Sequence, residues 1–302
     1  MNNVHHSPLM QRVMTGGVLL ILFLAALFLL PPIAWACLML LILIGAAFEA
    51  GRLLSSEHFA QLGIDASPHY RWLLPMALFT AAVFLALGAW RFTQVELISL
   101  SCACYFAALL VSLFALPFWI ARFERRSLKL SSFLRGSFAI ACGWLMFCGW
   151  LASVQLRVVS PWALLTILVL IWLADSAAYF SGRAFGKNKL APQTSPGKTR
   201  EGVLGALAAA TVYALATAPF ILPHFPSLHA LPIVAQWGIW IALVWLLTIL
   251  SVIGDLFESL LKRLADYKDS SHLLPGHGGI YDRIDSLLTT LPVAALALFM
   301  LV

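Results

Sequence analysis

The sequence predicts an all-α integral membrane protein with about nine transmembrane helices. Its N-terminus is expected in the cytoplasm, its C-terminus outside, and its active site at the cytoplasmic face. The first observation is composition: the 302 residues are 62% hydrophobic and 11% charged, whereas soluble domains are about 45–50% apolar and about 25% charged. The second is a series of long apolar runs, and the third is a one-sided distribution of basic residues. This composition excludes disordered, fibrous and disulfide-scaffold chains.

The apolar runs define the predicted spans, since about 20 apolar residues cross a bilayer. The charge-free runs are 13–30, 33–48, 72–90, 97–121, 136–156, 158–174, 202–254 and 286–302. Run 202–254 is too long for one helix, and its prolines indicate two spans joined by a short external hairpin: Pro219, Pro223, Pro226 and Pro232.

The first two runs leave two alternatives open. Eight spans are an alternative because Pro31 and Pro32 leave almost no loop between runs one and two. Run 13–30 resembles a signal peptide with a cleavage site at Ala34–Ala36, but its length and the run that follows at once favour an uncleaved first span.

Basic residues concentrate on one side of the nine-span topology. With a cytoplasmic N-terminus, every Lys and Arg except Arg91 and Arg157 lies on the cytoplasmic side. This positive-inside asymmetry supports nine spans, because eight spans would divide the basic loops between the two sides. The net charge of +6 then follows from topology, and we expect the partners to be the lipid bilayer and its lipids, with no nucleic acid.

The chain divides by residue type, although it contains no polar segment long enough to fold alone. Residues 1–157 are predicted to form about five N-terminal transmembrane helices. Residues 158–302 are predicted to form a catalytic region of about four spans, with cytoplasmic loops 181–201 and 258–285. The polar residue types that do chemistry concentrate in this second region.

The end of the eighth span carries the densest polar cluster. If the helix continues past the membrane, four polar side chains share one face: Asp255, Glu258, Ser259 and Lys262. Asp255 directly follows the run 202–254, and an acidic residue at membrane depth is a functional candidate by default.

The polar segment beyond this helix leads into the ninth span. Its candidate residues are Arg263, Lys268, Asp269, His277, Gly278, Gly279, Asp282, Arg283 and Asp285. The glycine turn allows backbone N–H groups to approach a ligand closely. Asp285 has an equally ordinary interpretation as the N-cap of the last helix.

A second cluster closes the sixth span. Asp175, Tyr179 and Arg183 lie four residues apart and form one polar stripe, which also fits an internal Asp–Arg pair with an interfacial tyrosine. The following loop offers Lys187, Ser195 and Lys198 to phosphate oxygens. Gly197-Lys198-Thr199 is not a P-loop, because Pro192 stands where that motif needs glycine and no strand is expected before it.

These residues predict phosphate chemistry at the cytoplasmic surface. Carboxylates beside basic side chains suit a Mg²⁺-bound phosphate ester, since Mg²⁺ takes one or two carboxylates together with substrate phosphates and water. The residues alone therefore indicate metal-dependent phosphoryl or nucleotidyl transfer to a lipid. A lipid kinase, a related lipid nucleotidyltransferase and an ion-coupled transporter are the alternatives. The transporter is disfavoured because the acids lie at span ends.

The segment 259–285 carries a long pattern of polar and glycine positions. It reads Ser259-x-Leu261-Lys262-Arg263, Lys268-Asp269, Ser271, Leu274-Pro275 and His277-Gly278-Gly279-Ile280-x-Asp282-Arg283-Ile284-Asp285. This pattern resembles, without departure, the signature of the phosphatidate cytidylyltransferase (CDP-diacylglycerol synthase) family. The upstream stretches 175–187 and 195–202 resemble it too, with Thr194 and Arg200 where a more apolar or aromatic residue is expected.

The resemblance implies that CTP and phosphatidate react to give CDP-diacylglycerol and pyrophosphate in an in-line transfer. It implies Mg²⁺, with or without a second cation, held by Asp255 and Asp282, and it implies a homodimer. Lys198 and Ser259 join these two acids as candidate catalytic residues. The candidate substrate-binding residues are Asp175, Tyr179, Arg183, Lys187, Ser195, Lys262, Arg263, Lys268, Asp269, His277, Gly278, Gly279, Arg283 and Asp285. His277 is expected to bind phosphate or shape the turn rather than act as a base.

Overall fold

The protein is almost entirely helical in this computed structural model, which describes residues 8–61, 69–88, 94–128, 130–273 and 278–301. The helices are α1 (Pro8–Leu29), α2 (Pro32–Leu54), α3 (His58–Gln61), α4 (Tyr70–Gly88), α5 (Gln94–Leu110), α6 (Leu116–Glu124), α7 (Ser132–Val159), α8 (Pro161–Phe185), α9 (Arg200–Ile221), α10 (Ile233–Leu264) and α11 (Tyr281–Leu301). Each of the nine predicted spans corresponds to a long helix in these ranges. A π-helical turn, Val111–Ala115, joins α5 and α6 into one such helix.

Seven helices in the described ranges are long and apolar enough to cross a membrane, as the predicted integral membrane fold requires. They are α2, α5–α6, α7, α8, α9, α10 and α11, while α1 offers the shorter apolar segment Gly16–Leu29. The number of spans that cross, their orientation and the division at residue 157 stay predictions. Many large apolar side chains are exposed on outer faces, Phe133 and Ile140 among them.

Local sequence explains where the helices begin. Pro32 and Pro161 stand in the first turn of α2 and α8, where a missing N–H costs nothing. Ser131 and Thr199 cap α7 and α9, since each side chain accepts a hydrogen bond from a backbone N–H three residues on. The predicted hairpin between the seventh and eighth spans is confirmed as two 3₁₀ turns, Leu222–His224 and Pro226–Leu228.

The structure adds detail to one expectation from sequence and excludes one alternative. The segment 181–201, predicted as a loop, contains the end of α8 and a short antiparallel hairpin of β1 (Lys189–Ala191) and β2 (Ser195–Thr199). Asp285 does not cap the last helix, because α11 begins at Tyr281 and Asp285 lies in its second turn.

The most buried helices are α7 and α11, and they hold the two halves of the chain together. Helix α11 packs against α10 on one side and against α2, α5 and α7 on others. Helices α8 and α9 pair with each other and carry the hairpin at one end. The start of α11, the end of α10 and the hairpin therefore meet at one end of the bundle.

Candidate active site

A cavity of about 740 Å³ lies where α8, α9, α10, α11 and the hairpin meet. Its acidic lining residues are Asp175, Asp255, Glu258, Asp269, Asp282 and Asp285, and its basic ones are Arg183, Lys189, Lys198, Lys262 and Arg283. Apolar side chains from the same helices complete the wall: Ile171, Trp172, Val203, Val252 and Leu287. One cavity thus offers polar groups for phosphates and apolar groups for a lipid.

The last turns of α10 place charged side chains in the cavity at helical spacing. Lys262 Nζ lies 2.5 Å from Glu258 Oε2 and 2.7 Å from Asp282 Oδ1, so one ammonium bridges α10 and α11. The Glu258 side chain is 1% exposed, and it lies within reach of the Asp282 carboxyl group as well as of Lys262. A buried carboxylate needs a compensating charge, which the Lys262 ammonium supplies to Glu258. Asp282 contacts the same ammonium from α11.

A second ion pair joins the hairpin to α10. Lys198 Nζ lies 2.7 Å from Asp255 Oδ2, with the two side chains 24% and 35% exposed. Ser259 donates a longer hydrogen bond of 3.4 Å to Asp255 Oδ1. Because Thr199 caps α9, β2 enters the helix directly at this point and directs Lys198 over the cavity.

Asp282 is held by the segment that precedes it. Its Oδ2 accepts hydrogen bonds from Ser270 N (3.0 Å) and Gly279 N (2.8 Å), and it shares the single proton of Ser270 Oγ, 2.8 Å away, with Glu49. Gly278 has φ +81°, and a Cβ there would lie 2.9 Å from Asp282 Oδ2, so the turn requires glycine. The glycine turn therefore donates a backbone N–H to this carboxylate, and its predicted contact with a ligand stays a prediction.

Glu49 of α2 holds the same segment from the N-terminal half. Its buried carboxylate accepts four hydrogen bonds, from Ser270 Oγ (2.8 Å), Ser271 Oγ (2.5 Å), Ile280 N (3.1 Å) and Tyr281 N (2.8 Å). It thus closes the loop between α10 and α11 and fixes the first turn of α11. We missed Glu49 in the sequence, although an acid at the end of an apolar run is a signal that could have found it.

Glu124 holds the hairpin in the same way. It accepts hydrogen bonds from Gln193 N (3.0 Å), Thr194 N (2.7 Å) and Thr194 Oγ1 (2.6 Å). From the other side, Arg263 Nε donates to the Thr194 carbonyl (3.2 Å). The turn that leads to Lys198 is therefore fixed by a carboxylate from α6 and a guanidinium from α10.

Comparison with known proteins identifies the family. The sequence model of the cytidylyltransferase family matches residues 10–301.

The chain belongs to the cytidylyltransferase family. This confirms the resemblance seen in the motifs. A phosphatidate cytidylyltransferase of Haemophilus influenzae is 52% identical over 129 residues, 43% of this chain and 43% of the relative. One of Pseudomonas aeruginosa is 45% identical over 136 residues, 45% of this chain and 47% of the relative. One of Staphylococcus epidermidis is 33% identical over 186 residues, which are 61% of this chain and 67% of the relative. The matched segments thus span less than half of the first two relatives.

The cavity collects most of the residues predicted from sequence. It is lined by Asp175, Tyr179, Arg183, Ser195, Lys198, Asp255, Lys262, Asp269, Asp282, Arg283 and Asp285. The stripe on α8 is present, with Arg183 Nη1 donating to the Tyr179 hydroxyl at 3.4 Å. The roles of these residues stay predictions. Glu258 also lines the cavity; its place on the α10 face was visible, but we had given it no role.

Other predicted residues lie outside the lining. Lys187 and Lys268 are exposed, and the Arg263 side chain reaches the Thr194 carbonyl. Gly279 donates to Asp282 and Ser259 to Asp255, so both act through a neighbouring carboxylate. Gly278 makes the turn beside Asp282. His277 lies outside the described residues.

The acids of the cavity are candidate ligands for a divalent cation. Among the described residues no three His, Cys, Asp or Glu side chains lie close enough to hold a metal by themselves. Mg²⁺ needs only one or two carboxylates when phosphates and water supply the rest. Asp255 has one partner on each oxygen, Lys198 at 2.7 Å and Ser259 at 3.4 Å, whereas Asp282 has Lys262 on Oδ1 and two backbone N–H donors on Oδ2, so Asp255 keeps more acceptor capacity. The donor set fits Mg²⁺ best at Asp255.

Proposed function

We propose that the chain is a phosphatidate cytidylyltransferase, which converts CTP and phosphatidate to CDP-diacylglycerol and pyrophosphate. The observation that carries the proposal is the cavity with lysine–carboxylate pairs and an apolar wall, in a chain of the cytidylyltransferase family. The names of the bacterial relatives support the same reaction. A nucleotide and a lipid phosphate both need cationic partners, and the apolar wall suits only the lipid.

The reaction needs no covalent enzyme intermediate. A phosphatidate oxygen, already anionic, attacks the α-phosphorus of CTP, and the bond from that phosphorus to the oxygen bridging to the β-phosphate breaks. Pyrophosphate leaves with the electron pair of that bond. Catalysis then consists of aligning two anions and stabilising the charge that develops on the phosphates.

The lysines are placed to supply that stabilisation. Lys198 and Lys262 each lie within 2.7 Å of a carboxylate that lines the cavity. On substrate binding we expect each ammonium to share its hydrogen bonds between that carboxylate and a phosphate oxygen, because three N–H donors are available. Glu258 and Asp282 keep Lys262 in place while this occurs.

We further propose that Mg²⁺ binds to Asp255 and to the substrate phosphates. Asp282 can become a second ligand only if the Lys262 ammonium moves away from its Oδ1. A bound Mg²⁺ would polarise the α-phosphoryl group and offset charge on the leaving pyrophosphate. Ser259, which donates to Asp255 Oδ1, then orients the carboxylate. Titration of turnover with Mg²⁺ alone tests for a second cation, because a second required cation would leave turnover incomplete when only Mg²⁺ is present.

A double-label assay tests the reaction class. Purified protein in detergent micelles receives phosphatidate and Mg²⁺ with CTP labelled at either the α- or the γ-phosphorus. Label from the α-position should enter the lipid and label from the γ-position should appear in pyrophosphate. Transfer of the γ-label to lipid would establish a lipid kinase instead. Turnover with diacylglycerol as acceptor, or equal turnover with ATP, would also contradict the proposal.

The membrane topology belongs to the same proposal. We place the N-terminus and the cavity on the cytoplasmic side of a bacterial inner membrane, because the basic loops lie on that side in the nine-span arrangement. Single cysteines introduced at Ser195 and Ser227 should be labelled by a membrane-impermeant maleimide from opposite sides. Labelling of both from one side would reject the arrangement. A homodimer stays a prediction, which sedimentation in detergent can test.

A further inference from the structure

A second cleft lies between α2 and α4, apart from the active-site cavity. It consists of two cavities of about 520 Å³ and 490 Å³, and Arg52 and Arg71 line both of them. The two arginines therefore stand where the cavities meet. No residue predicted from the family signature to bind substrate lines either cavity among the described residues.

Close helix packing brings the two arginines together. A Cβ on Gly51 would lie 2.3 Å from the Tyr70 carbonyl oxygen and 2.8 Å from Arg71 Cα, so only glycine permits this contact between α2 and α4. Arg52 follows Gly51 directly in the sequence. The backbones that carry Arg52 and Arg71 are thus in contact.

The first cavity is apolar and reaches the outer surface. Phe48, Trp72 and Pro75 line it, and Trp72 is 61% exposed. Met76, one turn further along α4, is also exposed. An exposed tryptophan beside an arginine is typical of the membrane interface, so this cavity suits an acyl chain entering from the bilayer.

Within the described part of the chain, both arginines keep hydrogen-bonding capacity. Neither takes part in the ion pairs formed by the described residues. The Arg71 guanidinium lies 4.6 Å from the centre of the Phe48 ring, and that of Arg52 lies 5.1 Å from the Tyr267 ring. Arg52 donates to the Ser270 carbonyl, but its buried Nε has no described partner. Both arginines line the same two cavities, and guanidinium groups are well matched to a phosphate.

The second cavity adds the opposite charge. Glu57 and Asp266 line it, together with His58 and the backbone end of α10. The order along the cleft is therefore an apolar wall, two arginines and then two carboxylates. Glu49, which borders the first cavity, is already occupied by its four hydrogen bonds.

We propose that this cleft binds a phospholipid of the surrounding bilayer with an ammonium head group, of the phosphatidylethanolamine type. Its acyl chain occupies the apolar cavity, its phosphate lies between Arg52 and Arg71, and its ammonium group faces Glu57 and Asp266. The site is separate from the proposed reaction, but it borders the segment that holds Asp282. Arg52 contacts the Ser270 carbonyl, and Ser270 donates to Asp282.

Native mass spectrometry of the full chain in detergent tests the proposal without an activity readout. The probes are dioleoyl-phosphatidylethanolamine, dioleoyl-phosphatidylglycerol and dioleoylglycerol, each added at the same concentrations. The wild type should bind the ethanolamine lipid several-fold better than the glycerol phospholipid, and dioleoylglycerol least. Arg71→Gln should weaken binding of both phospholipids about tenfold, since a phosphate loses one charged donor.

Matched variants separate the parts of the site. Arg122→Gln is the control, because its guanidinium stacks on Phe118 at 4.7 Å as Arg71 does on Phe48, yet it lines neither cavity. It should leave all three affinities unchanged. Arg71→Lys should bind both phospholipids nearly as tightly as the wild type. Glu57→Gln should lower the affinity for the ethanolamine lipid alone.

Three results would overturn the proposal. They are equal binding of dioleoylglycerol and the phospholipids, a preference for the glycerol phospholipid, and equal losses in Arg71→Gln and Arg122→Gln. Thermal unfolding of each variant checks that it is folded. If Arg71→Gln fails that check, the Arg71→Lys and Glu57→Gln pair decides, since Glu57→Gln must then change the ratio of the two phospholipids.

Discussion

Carboxylates of the two halves of the chain are used in opposite ways. In the N-terminal half, the oxygens of Glu49 and Glu124 accept hydrogen bonds from backbone N–H and hydroxyl groups. The donors belong to the segment that leads into α11 and to the hairpin. In the C-terminal half, Asp255 and Glu258 face the cavity and pair with lysines. The comparison teaches that the N-terminal helices do more than anchor the chain: they hold the segments that carry the cavity residues.

Asp282 lies between the two classes. It lines the cavity and contacts Lys262, yet three donors hold its Oδ2 as donors hold Glu49. A substitution that damages positioning should lower both stability and turnover, whereas one that damages chemistry should lower turnover alone.

Asp255→Asn should have the largest effect on turnover. The carboxylate is the one with most capacity for Mg²⁺, so we expect a loss on the order of a thousandfold in α-label transfer. Stability should hardly change, because a partly exposed ion pair contributes about 0–1 kcal/mol. Glu96→Gln, which removes a charge from α5 outside the cavity lining, is the control. Near-normal turnover would remove Asp255 from the proposed site.

Glu49→Gln should separate the two classes most sharply. Gln has the same shape as Glu, but its NH₂ group cannot accept hydrogen bonds. The N–H and O–H donors that now bind one carboxylate oxygen would then face another donor. We expect about 2–4 kcal/mol of lost stability, a midpoint of thermal unfolding lower by roughly 5–10 °C, and turnover lower by about ten- to a hundredfold. Hydrogen exchange at the Ile280 and Tyr281 amides should quicken. Normal stability with lost turnover would place Glu49 among the chemical residues instead.

The sequence was informative where physics acts locally. Apolar runs and prolines located the long helices, since span length and missing N–H groups depend on the sequence alone. Helical spacing likewise predicted the shared face of Asp255 and Lys262, and both line the cavity. Family resemblance pointed to the same end of the bundle.

Long-range pairing could not be predicted in this way. Glu49 is more than 200 residues from its partners Ser270 and Tyr281, and neither spacing nor charge of the single sequence links them. The hairpin was missed for a related reason: its strands are short and its turn depends on Glu124 from a distant helix. The hydrogen bond from Gly279 N to Asp282 was likewise not predicted, because it depends on the left-handed backbone of Gly278.

Glu124→Gln should produce a smaller effect than Glu49→Gln, because the hairpin is exposed on one side and also held by Arg263. We expect kcat/KM for CTP to fall about tenfold, since Lys198 loses part of its positioning. Thr194→Val removes one of the three hydrogen bonds and keeps both backbone donors, so its effect should be about threefold. Equal effects in the two variants would mean that the Thr194 hydroxyl alone fixes the turn.

The neighbours Lys262 and Arg263 give the finest distinction. Both were predicted from sequence to grip phosphate, but only Lys262 lines the cavity, while Arg263 donates to the Thr194 carbonyl. Arg263→Gln should therefore lower turnover only about threefold and leave product inhibition by pyrophosphate unchanged. Lys262→Gln should weaken pyrophosphate inhibition by about tenfold or more, because a charged hydrogen bond to the ligand is lost. If Arg263→Gln weakens pyrophosphate binding as much as Lys262→Gln, the guanidinium must leave Thr194 during turnover, and Arg263 then belongs with the cavity residues rather than with Glu124.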